Sequence, residues 1–65
     1  MIDSEKMKAE RIGKSMSQEA LSKAASLSHY TIHRLESGKY LNPRIGTISA
    51  IAEALSINVS ELIKN

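Results

Sequence analysis

QEALSKAASLSHYTIHRLESG, residues 18–38, is the stretch whose reading decides the fold. Leu21, Ala24 and Ala25 share one face of a helix at i, i+3, i+4 spacing, and Ile32 and Leu35 share one face of a second. The spacing predicts two short helices over about 18–25 and 29–36. Ser17 and Ser28 stand where each helix needs an N-cap, because a serine oxygen accepts a hydrogen bond from an orphan backbone N–H. Gly38 stands where the second helix must stop in a positive-φ conformation, which costs glycine little. Ser26 and Leu27 are left to make the turn, with Leu27 plugging the core between the two helices.

Two helices of this length joined by about three residues match the helix-turn-helix unit, whose second helix enters the DNA major groove. If Ile32 and Leu35 point inward, then His29, Tyr30, His33 and Arg34 face out, with Thr31 at the edge.

The flanking chain supplies support. Ser4 can cap a first helix running to about Lys14, with Met7 and Ile12 as its apolar side and Met16 following as a packing residue. Met1 to Asp3 are expected to pack loosely. Ile48, Ile51, Ala52 and Leu55 form an apolar stripe that predicts a fourth helix over about 45–55, weakened in its first turn by Gly46. Asn58 and Glu61 predict the capped start of a short fifth helix over 59–63. Tyr40 and Leu41 are apolar for a loop; they either tuck onto the body or meet a second subunit. Ile57, Val59, Leu62 and Ile63 are a dense apolar group. Some fill the core, and the remainder suggests a dimer face. The fold class is therefore all-α: a single domain over 1–65 with five helices.

Composition narrows the function. At 65 residues the chain holds one domain. A domain this small buries only about 60% of its unfolded surface, so close helix packing or a second subunit must make up the difference. It has no cysteine, hence no disulfide and no thiolate metal site. No apolar run suits a membrane span, and no signal-peptide pattern is present, so a cytoplasmic location is the default expectation. Net charge is only +2, but residues 29–44 carry Arg34, Lys39 and Arg44 against Glu36 alone, and the rest of the chain is neutral. Such a local excess is either a solvated basic face or a site for a phosphate backbone. His29 and His33 have a metal-ligand spacing, i and i+4, yet the HExxH glutamate and any nearby third ligand are missing. No metal and no cofactor are expected. There is no nucleophile–base set and no Gly-rich phosphate loop, so an enzyme is not expected either.

The chain resembles the lambda-repressor-like, XRE-type family of DNA-binding domains. The resemblance rests on Ser17-Gln18-Glu19-x-Leu21, Leu27-Ser28, Thr31-Ile32-x-Arg34-Leu35-Glu36-x-Gly38-Lys39, Asn42-Pro43 and Ile51-Ala52-x-Ala54-Leu55, and it runs from about Met7 to Leu62 without a gap. It implies that His29, Tyr30 and Arg34, with His33 beside them, read bases. It implies phosphate contacts from Ser17, Gln18, Ser28, Thr31, Ser37, Lys39 and Arg44, and a structural ion pair between Arg11 and Glu36. Gln18 is further expected to brace the start of the recognition helix. The sequence departs from the family at Ser26 and Ser56, where glycine is usual, and this predicts mild backbone strain at the turn.

The expectation is a double-stranded DNA-binding transcriptional regulator, acting as a repressor on a palindromic operator. It would bind as a homodimer through Tyr40, Leu41, Ile57, Val59 and Leu62, with no small-molecule effector evident. The rival is a protein-interaction module, such as an antitoxin-like partner-binding protein, that keeps the fold without binding DNA.

Overall fold

A computed structural model describes residues 1–64. Four α-helices follow one another: α1 (Ser4–Gly13), α2 (Gln18–Ala25), α3 (His29–Glu36) and α4 (Ile45–Ala54). A single 3-10 turn, Val59–Leu62, stands where a fifth helix was expected. Four residues give one turn of the tighter ladder, too short to propagate an α-helix. Its entry is capped as the sequence suggests: the Asn58 N–H donates to Glu61 Oε2 at 3.1 Å.

Three of the four helices leave by the same device. Ser15, Ser26 and Ser56 all have left-handed backbones, with φ of 57°, 57° and 58°. Each donates its N–H to the carbonyl three residues back: Ile12, Lys23 and Glu53 respectively. The next residue in each case donates to the carbonyl five back: Met16 to Arg11, Leu27 to Ser22, Ile57 to Ala52. This is the Schellman pattern, and the apolar residue that follows the left-handed one packs back on the body. Met16, Leu27 and Ile57 all pack against the core. Serine occupies the position glycine fills at least cost, so each of these exits is strained. The strain expected at Ser26 is thus one of three instances; only α3 uses a glycine, Gly38, at φ 80°.

The core is one cluster, built from Met7 of α1, Leu21 and Ala25 of α2, Ile32 and Leu35 of α3, and Ile48, Ile51 and Ala52 of α4, with Ile2, Leu55 and Leu62. α2 packs on α3 and on α4, while α1 packs on α3 and on the 3-10 turn. Four expectations change. Ile12, placed on the apolar side of α1, is 57% exposed. Ser22, not Ala24, shares the inner face of α2 with Leu21 and Ala25; its hydroxyl is satisfied by the Glu19 carbonyl at 2.7 Å. Asp3, not Ser4, caps α1, its carboxylate accepting from the Lys6 N–H at 3.1 Å. A negative cap suits the positive end of the helix.

The fourth concerns the chain start, which is not loose. Ile2 is 1% exposed and forms an isolated antiparallel bridge with Ile63. Ile2 N–H donates to Leu41 O at 2.8 Å, Asp3 N–H to Leu62 O at 2.7 Å, and Lys64 N–H to Met1 O at 2.8 Å. Residues 1–3 therefore tie the 3-10 turn to the loop after α3.

Candidate nucleic-acid interface

Ser17 and Ser28 start α2 and α3 as N-caps, their hydroxyl oxygens accepting from Ala20 N–H at 3.0 Å and Thr31 N–H at 3.1 Å. The caps fix where each helix begins, and hence which residues of α3 face out. Ile32 and Leu35 are fully buried, whereas His29, Tyr30 and His33 are exposed. With Gln18, these three line a shallow, mainly apolar depression of about 390 Å³. Arg34 is half-buried on the same helix, and Thr31 is half-buried at its edge.

A chain of polar contacts runs beneath this surface. Glu36, at the end of α3, keeps only 3% of its side chain exposed. Its carboxylate accepts from Arg11 Nε at 2.6 Å, Arg11 Nη2 at 3.0 Å and Gln18 Nε2 at 3.2 Å. Arg11 Nη1 also donates to the Met16 carbonyl at 2.7 Å. Three donors on one carboxylate satisfy its burial, and the pairing raises the Arg11 pKa above its ordinary value, chiefly through the hydrogen bond to Glu36.

That contact has a consequence at the surface. A carboxylate only accepts, so Gln18 must turn its NH₂ to Glu36, which leaves its oxygen toward His29. Gln18 Oε1 and His29 Nε2 are 3.2 Å apart. Nε2 must then carry the proton, and Nδ1 is the ring nitrogen without a partner among the described residues. Gln18 thus joins the start of α3 to the pair that holds α1 against α3.

Arg34 is held differently. Its guanidinium carbon lies 5.6 Å from the centre of the Tyr30 ring and 5.5 Å from that of Tyr40. Both lie within cation–π range.

Two further cations follow α3 in the chain. Lys39 and Arg44 are exposed in the loop after α3 and, like Arg34, have no carboxylate partner among the described residues. The single acid of residues 29–44, Glu36, is neutralised by Arg11 below the surface. Elsewhere, by contrast, Lys6 and Lys14 meet Glu10, and Lys23 meets Glu19. Lys8 and Lys64 are also exposed without a carboxylate partner among the described residues, but only residues 29–44 carry a net positive charge.

Several hydroxyls named as phosphate contacts already have partners. Ser28 Oγ lies 2.8 Å from Thr31 Oγ1, and Ser37 Oγ donates to Arg34 O at 2.9 Å while accepting from Lys39 N–H at 3.4 Å. The Ser17 hydroxyl accepts its cap bond and keeps its hydrogen for an outside acceptor. Of the residues assigned to a dimer face, Leu62 is fully buried by its own chain, because the 3-10 turn folds it under α1 and α4; no second subunit can reach it. Tyr40, Ile57 and Val59 are half-buried against the core, and Leu41 is half-buried where its carbonyl receives Ile2. The contact of Tyr40 with Arg34 has no counterpart in local spacing, since Tyr40 arrives from the following loop.

Residues 6–64 match the family model of the Cro/C1-type HTH DNA-binding domain. The chain belongs to that family, whose members are DNA-binding regulators and not enzymes. No curated protein matches it significantly. Among the described residues no helix is long and apolar enough to cross a membrane.

Proposed function

We propose that this Cro/C1-type domain is a transcriptional repressor that binds a palindromic operator as a homodimer, acting in the cytoplasm. The outward face of α3 carries the reading: His29, Tyr30 and His33 stand exposed beside Arg34, with Lys39 and Arg44 in the loop that follows. In this reading His29, Tyr30, His33 and Arg34 meet base edges. Arginine takes guanine O6 and N7 through paired donors, and a histidine nitrogen takes or gives one hydrogen bond. Ser17, Gln18, Ser28, Thr31, Ser37, Lys39 and Arg44 line the phosphates on either side, where the α2 N-terminus also favours an anion.

Size supports two copies. The domain's longest extent is 27 Å, whereas successive major grooves on one face of DNA lie about 34–36 Å apart. One copy reads one half-site, and a two-fold dimer matches a palindrome. Tyr40, Leu41, Ile57 and Val59 retain the partial exposure a modest dimer face requires. Repression follows from occupying a promoter that polymerase needs.

Selection of duplexes from a random pool, followed by a salt titration on the winner, tests the proposal. Each phosphate neutralised adds about 0.9 to the slope of log K against log salt. A palindromic consensus with a steep slope is the expected result. A flat response, with no enriched sequence, is the signature of a protein-binding module instead.

A further inference from the structure

The chain contains two tyrosines and no phenylalanine or tryptophan, and both tyrosines lie against the same side chain, Arg34. We propose that Tyr40 is a positioning residue for base reading, which with Tyr30 clasps the Arg34 guanidinium and aims its edge at a guanine. The inference rests on the DNA-binding reading above and adds a residue from outside the recognition helix to its specificity.

A guanidinium has two faces without donors and a rim of five N–H groups. A cation held over the face of a ring needs no acceptor for that contact, so its N–H groups stay available. Among the described residues, no side-chain or carbonyl oxygen accepts from the Arg34 rim, and no carboxylate pairs with it. Arg11 is the contrast. All three of its guanidinium nitrogens donate within the chain, so it is consumed by the fold. Arg34 is held in place but chemically unspent.

The two rings differ in what anchors them. Tyr30 lies one turn before Arg34 on α3 and is 68% exposed, so it moves with the helix surface. Tyr40 comes from the loop, where Gly38 at φ 80° turns the chain back, and its ring packs against the core. Tyr40 therefore ties the arginine to the body of the protein. An unclasped arginine must freeze several rotors on meeting DNA; here part of that cost is met before binding. A fixed guanidinium plane favours the planar acceptor pair of guanine, O6 with N7, over a phosphate, which accepts from many directions.

The experiment uses the full chain and the selected operator, with affinities for every single-base variant. Arg34→Ala is expected to erase a guanine preference at one position of each half-site. Tyr40→Leu, which keeps an apolar side chain against the core, is expected to reduce the preference at that same position by roughly 3- to 10-fold. The salt slope stays unchanged, because no charge is lost. Tyr40→Phe keeps the ring and is expected to keep the preference. Tyr30→Leu, a change at an exposed site, is expected to lower it as well, and Tyr40→Met, which also removes the ring, carries the test of Tyr40 if Tyr40→Leu unfolds. An unchanged base profile in a folded Tyr40 variant that lacks the ring, while Arg34→Ala loses its preference, overturns the role of Tyr40 alone. An Arg34→Ala loss equal across all sequences makes Arg34 a phosphate contact and also overturns it. A wild-type chain that enriches no duplex overturns the proposed function and this inference together.

Discussion

Arg11 and Glu36, twenty-five positions apart, share two hydrogen bonds, at 2.6 and 3.0 Å, and so fasten α1 to the end of the recognition helix. The side chains are 11% and 3% exposed, so the pair is largely withdrawn from water. Burying such a pair contributes little net stability, but removing one member strands the other.

Glu36→Ala is therefore expected to destabilise the domain by about 2–4 kcal/mol, as Arg11 and Gln18 both lose their acceptor. In a domain of this size about 1 kcal/mol moves Tm by roughly 4–8 °C, so a circular-dichroism melt resolves the effect easily. Replacing both partners by apolar residues, Arg11→Met with Glu36→Leu, is expected to restore much of the loss. A melt unmoved by Glu36→Ala contradicts the role given to this pair.

Ser26→Gly is expected to stabilise the protein. The left-handed conformation at φ 57° costs an L-residue about 1–2 kcal/mol, partly offset by the greater freedom of glycine in the unfolded chain. A net gain of about 0.5–1 kcal/mol in urea unfolding is the expected outcome. Loss of stability means that the Ser26 side chain does something beyond occupying the turn.

Lys39→Ala is expected to weaken binding to all duplexes alike and to reduce the salt slope by about 0.9, the share of one phosphate. Loss confined to particular sequences places Lys39 at a base.

Acid sensitivity has a local source as well. The hydrogen bond from Lys14, then that from Lys6, holds the Glu10 carboxyl below its ordinary value of 4.5. A depressed folded-state pKa contributes stability that is present above the unfolded value and is lost as pH falls through the folded one. Glu10→Gln is thus expected to flatten the stability profile below about pH 4.5 and to leave DNA affinity at neutral pH unchanged. All three side chains are partly exposed, so added salt should shrink the difference. An identical acid limb in wild type and variant removes Glu10 from the account.

The sequence was most legible where side chains punctuate the backbone locally. Ser17, Ser28 and Gly38 set the limits of α2 and α3 at the residues the pattern indicates, because caps act within four residues of themselves. The stripe Ile48, Ile51, Ala52, Leu55 is buried for the same reason of short-range spacing. Legibility failed where partners are distant in the chain. Nothing near Met1 reveals that Lys64 and Leu41 complete its segment. Ile12 fits a helical apolar face in sequence, yet α1 meets α3 through Arg11 and leaves Ile12 to solvent. The Arg11–Glu36 pair was accessible only through family resemblance. The placement of Tyr40 on Arg34 required the path of the loop.

The central claim is that the exposed side of α3 is the surface that meets DNA. Titrating isotope-labelled protein with the selected duplex and following its backbone amides by NMR tests this most directly. The largest shifts are expected at Ser17, Gln18, residues 28–34, Ser37, Lys39 and Arg44, with the Ala54 end of α4 and the paired termini little affected. Shifts centred on Ala54 or Ile63, with residues 29–34 undisturbed, would contradict it.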